Sequence, residues 1–212
     1  MIRPPVVSGR FYPKDPTELR AVVATLLADA RRELGTTPAA PSPAVIVPHA
    51  GYIYSGPTAA RVFARISVPG LVIILAPNHT GVVEVEAGVS LWEQGAFRTP
   101  LGEVSVDADA ARALLDIAHG AVAVDHDAHL GEHAVEVELP FLQLLRADVR
   151  IVPLVIAWDH WEPARSLGEV LARLVQAAGE PVLLLASSDL NHYEPAAISE
   201  KKDEIALAAV RA

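Results

Sequence analysis

The sequence predicts an α/β domain with a largely parallel central sheet flanked by helices, on two observations. Four short runs, Ala44 to Val47, Leu71 to Ala76, Arg150 to Ile156 and Pro181 to Ala186, are rich in Val, Ile and Leu and do not alternate with polar residues. Runs of that kind suit strands covered on both faces. Helical patterns lie between them, and strands separated by helices of this length imply crossover connections and a parallel sheet.

Taken in order, the first helix has the fullest set of signals. Asp15-Pro16-Thr17-Glu18 supplies an N-cap, a proline at the first helical position and an acid at the capping-box position. Leu19, Val22, Val23, Leu26, Leu27 and Leu34 then repeat on one face before Gly35. Thr36 to Pro43 reads as a short Pro-rich loop into the first strand. Ser55-Gly56-Pro57 opens a second helix through Val62 and Ile66, and the second strand follows at Leu71. Val82 to Val106 is polar and Gly-rich and reads as a hairpin region, after which Asp107 caps a third helix through Leu114 and Ile117.

Segment Glu132 to Arg146 carries two periods at once. Val135, Val137, Leu139 and Phe141 alternate like a strand, whereas Leu139, Leu142 and Leu145 repeat like a helix. The helix propensity of Leu-Gln-Leu-Leu-Arg favours a helix with Pro140 near its middle or start. Arg150 to Ile156 is then a strand, Glu162 to Ala178 a helix stopping at Gly179, Pro181 to Ala186 the last strand, and Ser199 to Ala212 a final helix. There is no internal repeat or low-complexity tract, so one domain over residues 1–212 is expected.

Composition removes several function classes. The 212 residues carry 17 Lys and Arg against 26 Asp and Glu, a net charge of −9. That balance opposes sequence-independent binding to nucleic acid or to an anionic membrane face. No apolar stretch approaches the roughly 20 residues that span a bilayer, and Met1-Ile-Arg-Pro-Pro opens no secretory signal, so a cytoplasmic location is expected. The chain has no cysteine, which leaves His, Asp, Glu and backbone oxygen as metal donors. No Gly-rich phosphate loop follows any strand, and Ser187-Ser188-Asp189 with His192 crowds the residue types of a triad into one loop.

The functional signal is where the histidines fall. Three of the four apolar runs end in a polar cluster with a histidine: Pro48-His49-Ala50-Gly51-Tyr52, Pro77-Asn78-His79-Thr80-Gly81 and Ser187-Ser188-Asp189-Leu190-Asn191-His192-Tyr193. The carboxyl ends of parallel strands share one edge of the sheet, where ligand sites form, so three imidazoles and a carboxylate converge in this reading. Imidazole is the common ligand for Zn, Fe and Cu, and two His with a carboxylate hold non-haem Fe(II). The plain alternative is that each histidine merely caps a strand end by hydrogen bonding.

A second cluster, Asp125-His126-Asp127-Ala128-His129-Leu130-Gly131-Glu132-His133, packs three His and three acids into nine residues. His129 and His133 are four apart and share a helical face. Glu132 and His133 are adjacent and on a helix do not face one ligand together. A solvated, acidic helix-entry loop is the plain reading for His126 and Asp127, and less so for Glu132 and His133, where the loop turns apolar. His119 and His160 read as surface or helix-terminal residues.

Together these motifs, in this order, resemble the Memo family, whose prokaryotic members are called AmmeMemoRadiSam system protein B. The carriers are Pro-His49-Ala-Gly-Tyr-Ile-Tyr-Ser-Gly, Ala-Pro-Asn-His79-Thr-Gly, Gly-Glu132-His133-Ala-Val-Glu-Val-Glu-Leu-Pro-Phe-Leu-Gln and Ser-Ser-Asp189-Leu-Asn-His192-Tyr, with a close variant of Arg-x-Pro-x-Val-x-Gly-x-Phe-Tyr-Pro from Arg3 to Pro13. The resemblance implies a fold related to class III extradiol dioxygenases, ring-cleaving enzymes that use non-haem Fe(II). It implies His49 and His79 as metal ligands and His192, beside Asp189, as the acid/base pair. Glu132 and His133 match a further pocket motif, with Asn78 and Tyr52 in the same pocket.

The resemblance also implies a longer chain with a C-terminal ligand, often a cysteine. This chain has none, so a Memo-like domain without that portion is expected, with Asp189, His192 or Glu132 as the third donor and weak metal binding. An uncovered sheet edge would then favour self-association or a partner. Three functions follow as expectations: an extradiol-type oxidoreductase with Fe(II), or with Zn or Cu in its place, acting on an unknown small molecule; a non-catalytic binding module for phosphopeptides or proteins; and a zinc hydrolase. The prokaryotic family name implies AMMECR-type and radical-SAM partners.

Overall fold

A computed structural model describes residues 1–35 and 39–211. The chain runs β1 (Ile2–Arg3), α1 (Pro16–Leu34), β2 (Ala44–Val47), α2 (Tyr52–Phe63), β3 (Leu71–Pro77), β4 (Val89–Leu91), β5 (Ala96–Thr99) and β6 (Gly102–Val106). It continues through α3 (Ala108–Ala118), β7 (Ala123–Val124), the one-turn α4 (Asp127–Leu130), a 3₁₀ turn over Glu136–Glu138 and α5 (Leu139–Leu145). Strand β8 (Arg150–Ile156), α6 (Trp161–Ala177), β9 (Val182–Ser187) and α7 (Ala196–Arg211) complete it.

One sheet organises the molecule, in the order β1-β5-β6-β8-β3-β9-β2, with β4 pairing both β8 and β7. The four apolar runs are its centre and one edge: β3 lies parallel between β8 and β9, and β2 lies parallel on β9. Antiparallel pairing is confined to the β5–β6 hairpin and to β4 on β8. The expected class, a largely parallel sheet flanked by helices, is the one observed.

Alternate residues of β3 show why these runs carry no polar face. Val72, Ile74 and Ala76 enter the cluster with α1, α2 and α5, whereas Leu71 and Ile73 enter a second cluster with α3 and α6. Side chains on a strand alternate between faces, so a strand sandwiched by helices must be apolar at every position.

Local chemistry sets the element ends. Asp15 accepts from the backbone N–H groups of Thr17 and Glu18 and so caps α1, and Asp107 accepts from Ala110 N at the start of α3. Helix α2 begins earlier than expected, at Tyr52 behind Gly51, and carries Pro57 within its second turn. Pro57 lies past the first four N–H groups of the helix, so it withholds a donor from the Ile53 carbonyl, one turn back at a residue whose side chain is exposed to solvent. Helix α5 places Pro140 in its first turn, which resolves the ambiguous segment as a 3₁₀ turn leading into a helix. Gly95, at φ +93°, lets β1 reach β5: a Cβ there would sit 1.8 Å from the Met1 carbonyl oxygen. The expected loop at 36–43 and the helix end at Ala212 fall partly outside the described residues.

Candidate metal centre

Three loops at the carboxyl ends of the parallel strands build the site. His49 follows β2, His79 follows β3, and Asp189 and His192 follow β9. A fourth segment, the irregular link between α4 and the 3₁₀ turn, brings in Glu132 and His133. One nitrogen each of His49, His79 and His133 lies within 4.8 Å of the others. The rings of His79 and His133 stack with centroids 4.5 Å apart, and His49 stands edge-on to both. None of the third donors left open by the sequence, Asp189, His192 or Glu132, belongs to this trio; its third member is His133, which the sequence placed only in the pocket. The helical argument that kept Glu132 and His133 from serving one site does not apply, because residues 131–135 are not helical.

Glu132 instead stands behind the trio. Its Oε1 accepts from His79 Nδ1 at 2.9 Å and from the backbone N–H groups of His133 and Ala134, and its Oε2 accepts from His79 N at 2.6 Å. A carboxylate can only accept, so His79 carries its proton on Nδ1 and offers Nε2 forward, the orientation that a carboxylate behind a ligating imidazole enforces. Burial alone would raise the Glu132 carboxyl, but the His79 hydrogen bond and the amide donors win and bring it down to about 2. That hydrogen bond in turn raises His79. Burial lowers His133, and it lowers His49 to about 4, so His49 offers an uncharged nitrogen near neutrality.

The remaining expected residues divide between cavity and framework. Asp189 Oδ1 accepts from His49 N at 2.6 Å and Ala50 N at 3.0 Å, and its Oδ2 lies 3.9 Å from His49 Nε2. His192 is exposed, with Nδ1 3.0 Å from Leu190 O. Leu190 and Tyr193, beside it, both adopt left-handed backbone at φ +55° and +61°, a strain that concentrates at functional loops. Asp189 and His192 line a cavity of about 410 Å³ together with His79, His133, Phe11 and Tyr54. Tyr52 is buried, donates to Val137 O and is not part of the lining of that cavity. Asn78 folds its carbonyl back onto Thr80 N and Gly81 N and shapes the His79 loop.

His126, His129, His119 and His160 lie outside the site. His126 pairs with Glu93 at 2.5 Å, His119 ends α3 in left-handed backbone and His160 precedes α6. His129 is buried, and its Nε2 donates to Ser90 O at 3.0 Å. Burial lowers His129 to about 4. The unfolded chain takes up that proton near pH 6.5, so between about pH 6.5 and 4 the unfolded state binds more protons and stability falls as pH falls. His129 alone accounts for about 3 kcal/mol by pH 4; His49 adds in the same direction, whereas His79 works oppositely and loses its contribution as pH rises through its raised value. Glu138, raised by burial, also works oppositely, so the expected result is that the urea midpoint of the metal-free wild type exceeds that of His129→Gln by a margin that shrinks in the order pH 7.5, 5.5, 4.5.

Four residues that anchor the site lie in the sequence motifs but with no sign of that anchoring role. Ser187 and Glu138 contact the back of His49, directly and in turn. Arg3 and Glu136 are fully buried and tie β1 to the link that presents His133. The only hint was charge inside an apolar stretch, Val135-Glu136-Val137-Glu138-Leu139, where two acids sit at positions that the surrounding residues mark as core.

The donor set suits a metal. Three neutral-capable imidazoles with a cavity beside them are the ligands that Zn, Fe, Cu and Ni accept. Among the described residues no helix is long and apolar enough to cross a membrane. Comparison with known proteins agrees with the motifs that build the centre. A MEMO1 family protein of Sulfolobus acidocaldarius is 42% identical over 98% of this chain and 75% of its own length. Others from Methanothermobacter thermautotrophicus and Aquifex aeolicus are 40% and 39% identical, over 96% and 99% of this chain and 74% of theirs. The Memo-like protein family matches residues 3–212, which takes in His49, His79, His133 and the strands from β2 to β9, and the chain belongs to that family.

Proposed function

We propose that the chain is a metal-dependent oxidoreductase of the extradiol type, with Fe(II) held by His49, His79 and His133. The observation that carries this reading is the convergence of three imidazoles, two of which, His79 and His133, line a cavity that also presents His192 and Asp189. Bound there, the ion would supply Lewis acidity and bring a chelating substrate and O₂ together. The chain's own residues do the rest. Phe11 and Tyr54 give the cavity aromatic walls suited to a planar ring. His192, with Nδ1 tied to Leu190 O, has Nε2 free to take a proton from a substrate hydroxyl and return it as the ring opens. Asp189 holds the His49 loop through two backbone amides. Catechol and O₂ combine without a further reactant: one ring C–C bond breaks, and both oxygen atoms end in the product. In this reading the protein works in the cytoplasm beside AMMECR-type and radical-SAM partners, as its family resemblance implies.

A second reading is favoured by the donor count itself, since three histidines with an open position also hold catalytic zinc. Anaerobic loading with Fe(II), followed by catechol and O₂, decides between them. Oxygen uptake matched to a ring-opened product is the expected result. Tight zinc with ester or amide hydrolysis and no oxygen uptake would transfer the assignment to the hydrolase. A protein that binds neither metal but titrates with a phosphotyrosine peptide would make the cavity a recognition site.

A further inference from the structure

Behind His49 lies a group that neither the fold nor the proposed reaction requires. Ser187 Oγ has three polar neighbours: His49 Nδ1 at 2.8 Å, Ala134 O at 2.8 Å and Glu138 Oε1 at 3.1 Å. A hydroxyl has one proton to give and two lone pairs to fill. The Ala134 carbonyl can only accept, so the Ser187 proton goes there. Both other neighbours must then donate. His49 donates from Nδ1–H, and Glu138 donates from a protonated carboxyl.

A second, independent feature points the same way. Glu138 is fully buried, and its Oε2 has no hydrogen-bond partner among the described residues. A charged carboxylate with one bare oxygen in the core is far costlier than a neutral acid whose carbonyl oxygen is bare. Burial pushes the Glu138 carboxyl well above the usual range; the Ser187 hydrogen bond opposes that rise and the Asp189 charge reinforces it.

We propose that Glu138 is an uncharged acid which, through Ser187, fixes His49 as its Nδ1–H tautomer, so that Nε2 is the nitrogen offered to the metal centre. Ser187 and Glu138 are thus positioning residues. The inference deepens the metal-site reading and rests on it only for its consequence, since the proton arrangement exists without any ion. It gives His49 a hydroxyl where His79 has a carboxylate. The two ligands therefore differ in character: a carboxylate behind an imidazole makes it a stronger donor than a neutral hydroxyl does.

Nitrogen-15 NMR of the metal-free protein reads the His49 tautomer directly, and infrared difference spectra read the carboxyl. The expected results are an Nδ1–H signal for His49 and a protonated-acid carbonyl stretch at neutral pH that Glu138→Gln removes. An Nε2–H tautomer in the wild type, or spectra in which Glu138→Gln changes only carboxylate bands, would overturn the assignment; the first needs no variant at all. Ser187→Ala is expected to mix the two tautomers and to lower Fe(II) affinity by about 10- to 100-fold. Ser187→Ala with an unmixed Nδ1–H signal would also overturn it. Should the wild type bind no metal, the metal-centre reading fails, and the two spectra still decide the Glu138 arrangement.

Discussion

Replacing His133 by alanine is expected to lower affinity for Fe(II) or Zn(II) by more than about 100-fold, because losing a supporting residue behind a ligand already costs about 10- to 100-fold. His133 is one of three imidazoles whose nitrogens come within 4.8 Å of each other. Alanine leaves the other two with Glu132, whose Oε1 already serves His79 Nδ1 and the amides of residues 133 and 134. That oxygen has little capacity left to replace the lost nitrogen. His192→Ala makes the contrast: its ring stands outside the trio, so affinity stays within about threefold of wild type, while turnover falls by about 10²- to 10⁴-fold through loss of a general acid and base. Competition against a chelator of known strength measures both. Retained affinity in His133→Ala beside lost affinity in His192→Ala would exchange the two roles.

The three clustered histidines show where a sequence is informative and where it stops. His49 and His79 were legible because each follows an apolar run, and parallel strands bring such ends to one edge by topology alone. His133 follows no strand. It reaches the site on a link anchored from elsewhere, by Arg3 and Glu132, and no local pattern encodes that anchoring. The same division holds for the fold. β3, β8 and β9 announce themselves because burial on both faces demands unbroken apolar sequence, whereas β2, a half-exposed edge strand, is marked by its Val-Ile-Val run alone. Strands β1, β4 and β7 are two or three residues long, and β1 contains an arginine. Such strands exist only through their pairing partners, so composition gives no sign of them. Ser187, in a loop whose sequence is too crowded for a triad, has its hydroxyl against His49 Nδ1, Ala134 O and Glu138 Oε1.

Arg3 carries the largest stability prediction. Its guanidinium is fully buried, pairs with Glu136, and also donates to the carbonyls of His129 and Glu132. Glu136 in turn accepts from Tyr12 and from the amides of Val6 and Val7, and is itself fully buried. Arg3→Met keeps the bulk but strips the charge, leaving a buried carboxylate without its cation and two carbonyls without donors. Breaking a buried pair from one side costs about 3–5 kcal/mol, which in a chain of this size lowers Tm by roughly 10 °C or more. Replacing both partners, as Arg3→Met with Glu136→Gln, is expected to recover part of the loss, because the uncompensated charge disappears. Urea unfolding of the metal-free proteins measures both variants. The single variant should also bind metal less tightly than wild type, since Arg3 fixes the Glu132 carbonyl one residue before His133. An Arg3→Met protein as stable as wild type would mean that the pair contributes nothing net, and would leave the placement of His133 to Glu132 and to the packing of Phe11 against its ring.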